Sequence, residues 1–421
     1  MLALMLAAAC GPEAADESAT EPGPTSSGAD STGTDAPTTG EPTTGEPPPA
    51  VDCAEVPVVL DAPVWTGEPA NGGGRVAAAA DGDVLLLRTG VAALEKFGVD
   101  GVAWSHTFAD DESPVALAAL ADGRVVVGGM AFDDDAGRES RLWLFGADGQ
   151  LLAVETVDHE PGRDEHVVAM GASPAGHVAA AVLSVAVEGD PDARLRVDRY
   201  DDALALVWSA DGGAYEFDPA LDVDADGRVY LATARIAGTS NGGFDYTWEL
   251  RVRSFDADGE RWAADPVEVE TDNNVLALAV SVGDQVYVLG QRPAAFFVGA
   301  LTTAGAPVWA WTRDQAEAPS QTWLAGHRLG ALAASPCGGV YLGGYSDVDI
   351  DGVAGAASLF HVAPDGTPGP VTNVLETPHD GQFAHSDVSA LDVALGRIVA
   401  VGSLEPVFPN DAPSRTWVRS F

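Results

Sequence analysis

Asp347, Asp349 and Asp351, followed by Gly352, place three carboxylates at alternate positions in one short stretch. Alternating carboxylates before a glycine turn could converge on a hard cation such as Ca²⁺. Ser358 stands at the twelfth position, where a calcium loop of the helix-loop-helix type needs a bidentate acid, so any site here would be weak. Asp222, Asp224 and Asp226 before Gly227 repeat the spacing. They read as a hairpin turn, because Asp-Gly supplies the positive φ such turns require. His379, Asp380 and His385 fall in one stretch and Trp323 with His327 in another, residue types suited to a metal or to an aromatic binding surface. No third ligand stands at the fixed spacing of a zinc site, so the metal reading is the weaker of the two. Lys96 is the only lysine, which leaves one side-chain amine for Schiff-base chemistry. Walker and Cys-x-x-Cys motifs are absent from the sequence.

The elements that must position these residues follow from a repeat. DGDVLLL, DGRVVVGG, AGHVAAAV, DGRVYLAT, GDQVYVLG, GGVYLGG and GRIVAVG each join a turn to a Val-rich run. Their first β-branched residues are Val84, Val125, Val178, Val229, Val286, Val340 and Ile398, spaced by 41 to 58 residues. Period-two runs such as RLRVDRY and WELRVRSF follow, and then a last run carrying Trp, as in VDGVAWSHTF and TAGAPVWAW. Period two means strand. Four hairpin-linked strands at this period describe a propeller blade, and seven anchors predict an all-β propeller of seven four-stranded blades, with six or eight the neighbouring counts. Tryptophans in the last strands read as packing between blades rather than as a substrate platform.

The seventh unit ends at SRTWVRSF after its third strand, while DAPVWTG near residue 65 repeats the Ala-Pro-Val-Trp of the last strand at 306–309. Residues 55–66 are therefore expected to supply the missing outer strand and close the ring. The Asp-Gly turn, Val-rich strand and Asp-x-Asp-Gly-x-x-Trp strand resemble the repeats of bacterial secreted propellers. These include the pyrroloquinoline-quinone-like propeller superfamily and repeat-bearing lipoproteins of myxobacteria. The resemblance covers about residues 57–421 and is specific for architecture only.

MLALMLAAAC, the first ten residues, is a short apolar run ending in small residues before Cys10. It resembles the lipobox of bacterial lipoproteins, without the usual basic residues ahead of the apolar run. The resemblance implies that 1–10 is a signal peptide, that Cys10 is lipidated, and that Gly11 after it argues against retention at an inner membrane. Residues 11–54 are rich in Pro, Thr, Gly and Glu, a composition that cannot offset its ordering entropy by burial and reads as a disordered tether. The propeller is expected over 55–421. With Cys10 spent on lipid and an oxidising envelope address, Cys53 and Cys337 are the two thiols left to pair.

The formal net charge of −43 repels nucleic-acid phosphates and anionic lipid surfaces. Contact with a membrane is therefore expected through the lipid alone, on an outer-membrane or cell-surface lipoprotein that is a monomer. In a propeller the first-to-second and third-to-fourth turns share one face, and here they are short. Second-to-third loops (131–139, 236–246, 345–355, 404–413) and blade connections (158–166, 312–328, 376–387) share the other face and are long. Long loops on a rigid scaffold are where binding groups sit. The expected function is a non-enzymatic, surface-tethered propeller that binds a protein or glycan through that face, with no cofactor expected beyond Ca²⁺. Two alternatives are an envelope enzyme related to quinoproteins and a structural assembly platform of the outer membrane. No adjacent-cysteine pair supports the enzyme.

Overall fold

The seven anchors fix the architecture, because each opens, or stands one residue inside, the second strand of a sheet and none is exposed. The structure is a computed structural model that describes residues 65–67, 74–133, 137–157, 162–186, 193–214, 216–240, 245–270, 274–280, 283–292, 295–314, 327–346, 356–375, 383–394, 397–406 and 415–421. The chain divides into two units, Met1–Glu46 and Pro47–Phe421, of which the first lies wholly outside the described residues.

Strand β1 is Trp65–Gly67. Blade one follows as β2 (Gly74–Ala78), β3 (Val84–Arg88), β4 (Ala93–Gly98) and β5 (Gly101–Thr107). Blade two is β6 (Glu112–Ala119), β7 (Val125–Asp133), β8 (Gly137–Phe145) and β9 (Leu151–Val157). Blade three is β10 (Arg163–Ala172), β11 (Val178–Ala186), β12 (Ala193–Tyr200) and β13 (Leu206–Ala214). Blade four is β14 (Phe217–Val223), β15 (Val229–Ser240), β16 (Asp245–Asp256) and β17 (Gly259–Glu270). Blade five is β18 (Asn274–Val280), β19 (Gln285–Arg292), β20 (Ala295–Thr302) and β21 (Pro307–Asp314). Blade six is β22 (His327–Ala334), β23 (Val340–Ser346), β24 (Ala356–Val362) and β25 (Thr372–Leu375). Blade seven has a first strand in two pieces, β26 (Phe383–Ser386) and β27 (Ala390–Ala394), then β28 (Arg397–Pro406) and β29 (Arg415–Ser420). Both pieces pair with β28.

Every sheet is an antiparallel meander in chain order except blade seven, whose outer strand is β1, paired as Trp65↔Ser420 and Gly67↔Val418. The expected closure is therefore present. Its described strand is Trp65–Gly67, and residues 55–64 lie outside the described residues.

Burial explains why the second strands read as unbroken apolar runs. Val84 and Leu86 pack toward blade seven, whereas Leu85 and Leu87 pack toward blade two. Successive side chains of a strand point to opposite faces, so a strand sandwiched between two blades must be apolar at every position. Seven such layers, each shared by two neighbouring blades, make up the core among the described residues.

The fourth-strand tryptophans lock these layers at the short-turn face. Trp104 of blade one donates its indole N–H to the Ala147 carbonyl of blade two at 3.0 Å, and Trp262 of blade four to Thr303 of blade five at 2.9 Å. Trp309 of blade five does the same to Pro364 of blade six at 3.0 Å. In each case a glycine two residues after the acceptor lies under the ring. A Cβ on Gly149, Gly305 or Gly366 would stand 2.5, 2.8 or 2.9 Å from the indole, and all three have positive φ. Only glycine meets both conditions. Gly305→Ala is expected to destabilise by about 2 to 3 kcal/mol in denaturant unfolding, from strain plus overpacking. Adding Trp262→Ala should recover the overpacking part and leave the strain. Fully additive losses would show that the two residues do not meet.

Candidate functional site

The short-turn face is closed by local bonding. Asp224 accepts the backbone N–H groups of Asp226 and Arg228 at 3.0 and 2.9 Å and the Tyr230 hydroxyl at 3.0 Å, which is the turn role expected of that aspartate string. Asp122, Asp148, Asp256 and Asp365 likewise accept the N–H two residues on. Lys96 is buried against Asp81 and 3.6 Å from Asp83, so the single lysine is engaged as a structural cation.

At the opposite, long-connection end, three blades carry the same ion pair. The registers Val125↔Phe145, Val178↔Tyr200 and Val229↔Phe255 make Arg141, Arg196 and Arg251 equivalent positions on the third strands. Glu112, Glu165 and Glu216 stand at the entry to the first strands. Arg141 Nη1 lies 3.5 Å from Glu112 Oε1, Arg196 Nη1 2.6 Å from Glu165 Oε1, and Arg251 Nη1 3.5 Å from Glu216 Oε1. Each pair ties the entry of a blade to its third strand and so fixes the rim from which the connections depart.

The neighbours of each pair differ. In blade two, Glu112 Oε1 also accepts the Trp143 indole N–H at 3.2 Å, and Oε2 accepts the Ala109 N–H at 3.0 Å. In blade three, Arg196 Nε donates to Asp198 at 2.9 Å, and Asp198 accepts the hydroxyls of Ser209 and Tyr200 at 2.6 and 3.2 Å. Asp198 and Glu165 are both buried, so this network must be internally paired to exist at all. Burial by itself would lower the pKa of Arg196, but the bonds to Asp198 and Glu165 outweigh it and hold the guanidinium above its ordinary value. Burial, reinforced by the Asp198 charge, pushes the Tyr200 phenol upward. In blade four, Arg253 reaches across to the Gly212 carbonyl of blade three and lies 3.6 Å from Glu216, and burial lowers its pKa more than Glu216 restores.

A cavity of about 440 Å³ opens at this end between blades one and two. Its wall comes from a 3₁₀ turn at Thr89–Val91, the connection from Thr107 to Ser113, and Phe132 at the end of β7. Thr89, Thr107 and Ser113 supply hydroxyls, Asp110 and Glu112 supply carboxylates, and Val91 and Phe132 supply exposed apolar surface at 48% and 44%. The Arg138 guanidinium stands over the Phe132 ring at 5.1 Å, and the backbone N–H of Arg138 donates to Asp164 Oδ1 at 3.4 Å, tying the cavity wall to blade three. Nearby, His166 Nδ1 approaches Met130 Sδ at 3.1 Å, and burial with the Arg138 charge lowers its pKa, so the ring is neutral at pH 7. The arrangement offers hydroxyls, acceptors and a flat apolar edge on a rigid rim, which is recognition chemistry.

The sequence-derived candidates fall as follows. Asp347, Asp349, Asp351, Trp323, His379, Asp380, Cys10 and Cys53 lie outside the described residues. His327 and His385 are corrected from connections to strands. His327 opens β22, paired with Ser346, and His385 lies in β26, paired with Glu405. The hairpins at 131–139 and 236–246 are likewise shorter than expected, since β7 reaches Asp133 and β15 reaches Ser240. Cys337 sits in the first-to-second turn of blade six, packs against the layer between blades six and seven, and is disulfide-bonded. Among the described residues no three His, Cys, Asp or Glu side chains gather as a metal site. No helix there is long and apolar enough to cross a membrane. The three Glu–Arg pairs and the cavity were missed in the sequence: aligning blades on Val125, Val178 and Val229 sets each glutamate 13 residues ahead, but the arginines fall 16, 18 and 22 residues behind and are equated only by strand register.

The chain is thus a seven-bladed β-propeller. No protein-family model matches it, and no curated protein sequence does. Among solved structures, one of a mitotic checkpoint complex is similar at 11% identity and a TM-score of 0.49, covering 86% of this chain and 96% of that one. A selenomethionine-substituted virginiamycin B lyase from Staphylococcus aureus is similar at 9% and 0.46, covering 84% and 98%. The pyrroloquinoline-quinone-bound aldose sugar dehydrogenase from Streptomyces coelicolor is similar at 13% and 0.38, covering 85% and 96%. Similarity at this level says nothing of activity.

Proposed function

We propose that the protein is a non-catalytic binding scaffold that engages a protein or glycan through its long-connection face, held at the cell envelope by a lipid on Cys10 and the tether over 11–54. The observation that carries this reading is the asymmetry of the two ends. One is sealed by capped turns and interblade indole bonds, whereas the other has three locked Glu–Arg pairs along its rim and an open cavity whose wall includes Glu112 of the first pair. Preorganised rims favour binding because little ordering entropy remains to be lost on association.

The test uses full-length protein, immobilised and challenged with a panel of glycans and with envelope extract. Phe132→Asp is expected to abolish the retention seen with the unaltered protein, whereas Asp258→Ala at the short-turn face leaves it intact. Equal retention by both variants would refute the use of this face. A quinone absorption band in the purified protein would refute the non-catalytic reading.

A further inference from the structure

Ten large apolar side chains are exposed among the described residues, and seven of them lie on the outer strands of blades one to three or in the turns leading into them. They are Val99 and Val102 in blade one, Leu151, Leu152 and Val154 in blade two, and Leu206 and Val207 in blade three. At the centre is β9, Leu151–Val157, where Leu151, Leu152 and Val154 are 45%, 55% and 45% exposed. Leu152 is the extra residue where the register with β8 shifts, between Phe145↔Leu151 and Leu144↔Ala153, and Leu151, Leu152 and Val154 leave apolar surface uncovered along the strand.

β9 is also an edge. It pairs with β8 on one side and ends its sheet on the other. Sheet edges are normally guarded by proline, charge, bulges or cover. Such guards stand on the outer strands of blades three to six, while β5 of blade one opens at Gly101 with positive φ and shifts register against β4. The outer strand of blade four carries Glu260, Arg261 and Asp265, that of blade five opens at Pro307, and Pro368 and Pro370 precede that of blade six. In blade three the outer strand is irregular at Gly212–Gly213, with Gly213 at positive φ. β9 has no proline or glycine and a single charge, Glu155, and its one interruption is the register shift against β8 at Leu152.

The charge around β9 selects what can add to it. Asp148 precedes the strand, and Asp100, Asp201 and Asp202 lie in the matching turns of the flanking blades. Arg124, which reaches the turn of blade three, is already bonded to Asp122 and Asp202 at 2.6 Å. A second copy of the chain would bring another −43 charges and place a Glu155 close to its counterpart. We propose that the free edge of β9 takes up an extended segment of a partner protein as a fifth strand, a segment in which apolar residues alternate with Lys or Arg. Main-chain bonds would supply the pairing, Leu151, Leu152 and Val154 the apolar contact, and the surrounding carboxylates the preference for basic residues.

The probe is a nine-residue Val-Lys alternating peptide, compared with its Val-Glu counterpart and with a Val-Lys peptide N-methylated at every second residue. Hydrogen exchange on the full chain is expected to slow at least about tenfold within 151–157 when the Val-Lys peptide saturates the protein. The Val-Glu and N-methylated peptides should bind at least about tenfold more weakly, as should Val-Lys to a Leu152→Lys/Val154→Lys variant. Those positions are exposed, so the variant should unfold at the unaltered midpoint, which separates lost binding from lost fold. Unchanged exchange at 151–157, equal binding of the acidic peptide, or full binding by the variant would overturn the proposal. So would a reversible dimer that the same variant abolishes, since the occupant would then be a second copy.

Discussion

A chain that starts at residue 71, and so lacks β1, is expected to unfold several degrees lower and less cooperatively than the full chain. β1 pairs with β29 at Val418, Arg419 and Ser420, and both Val418 and Ser420 are buried in its presence. Val418 belongs to the layer between blades seven and one, with Val84, Leu86 and Phe97, so its exposure loosens the seam at which the ring closes. A few ladder bonds at about 1 kcal/mol each and partial exposure of one Val give a loss of roughly 4 kcal/mol. For a chain of this size that is about 5 °C in the midpoint. A free edge on β29 should also promote association. Adding a peptide of residues 61–70 in trans should restore part of the stability, and full-length Cys53→Ser serves as the control for loss of the thiol. Identical melting of truncated and full chains would refute the closure.

How far the sequence discloses the molecule depends on how local each constraint is. The blades were legible because a strand packed on both faces must be apolar throughout, and VLLL, VVVGG and VAAAV show this within a few residues. Ring closure was legible because Ala-Pro-Val-Trp recurs, and the interblade role of the tryptophans because they recur in the last strands. The strand extensions to Asp133 and Ser240 were not, since their residues show no apolar alternation and only pairing with the partner strand reveals them. His327 and His385 were misplaced for the same reason. Glu112 and Arg141 meet only once the register of three strands is known. The cavity likewise assembles from segments that share no sequence signature, and no composition rule would have joined Val91 to Phe132.

Replacing Cys337 with Ser is expected to lower stability by on the order of 4 to 5 kcal/mol, through a bond that joins two distant parts of the chain. Cys337 is disulfide-bonded, and the sequence holds only Cys10 and Cys53 as partners. The topology favours Cys53. Trp65 pairs with Ser420, so β1 is entered from the end of the ring where β29 finishes, which is the short-turn end. Cys337 lies at that end, in the turn of blade six next to blade seven, packed against the layer that holds Ile398 and Trp417. A bond from there to the segment leading into β1 would fasten the closing strand and resist the opening that truncation imposes. The chain-entropy model attributes the gain to the unfolded state, where a loop of most of the chain is closed. Peptide mapping of unreduced protein should therefore return Cys337 linked to Cys53, and reduction should lower the midpoint of the full chain but not that of Cys337→Ser. If the variant and the oxidised protein melt together, the bond does not support the ring. If Cys337 is recovered linked to Cys10, the assignment of its partner and the lipidation of Cys10 both fall.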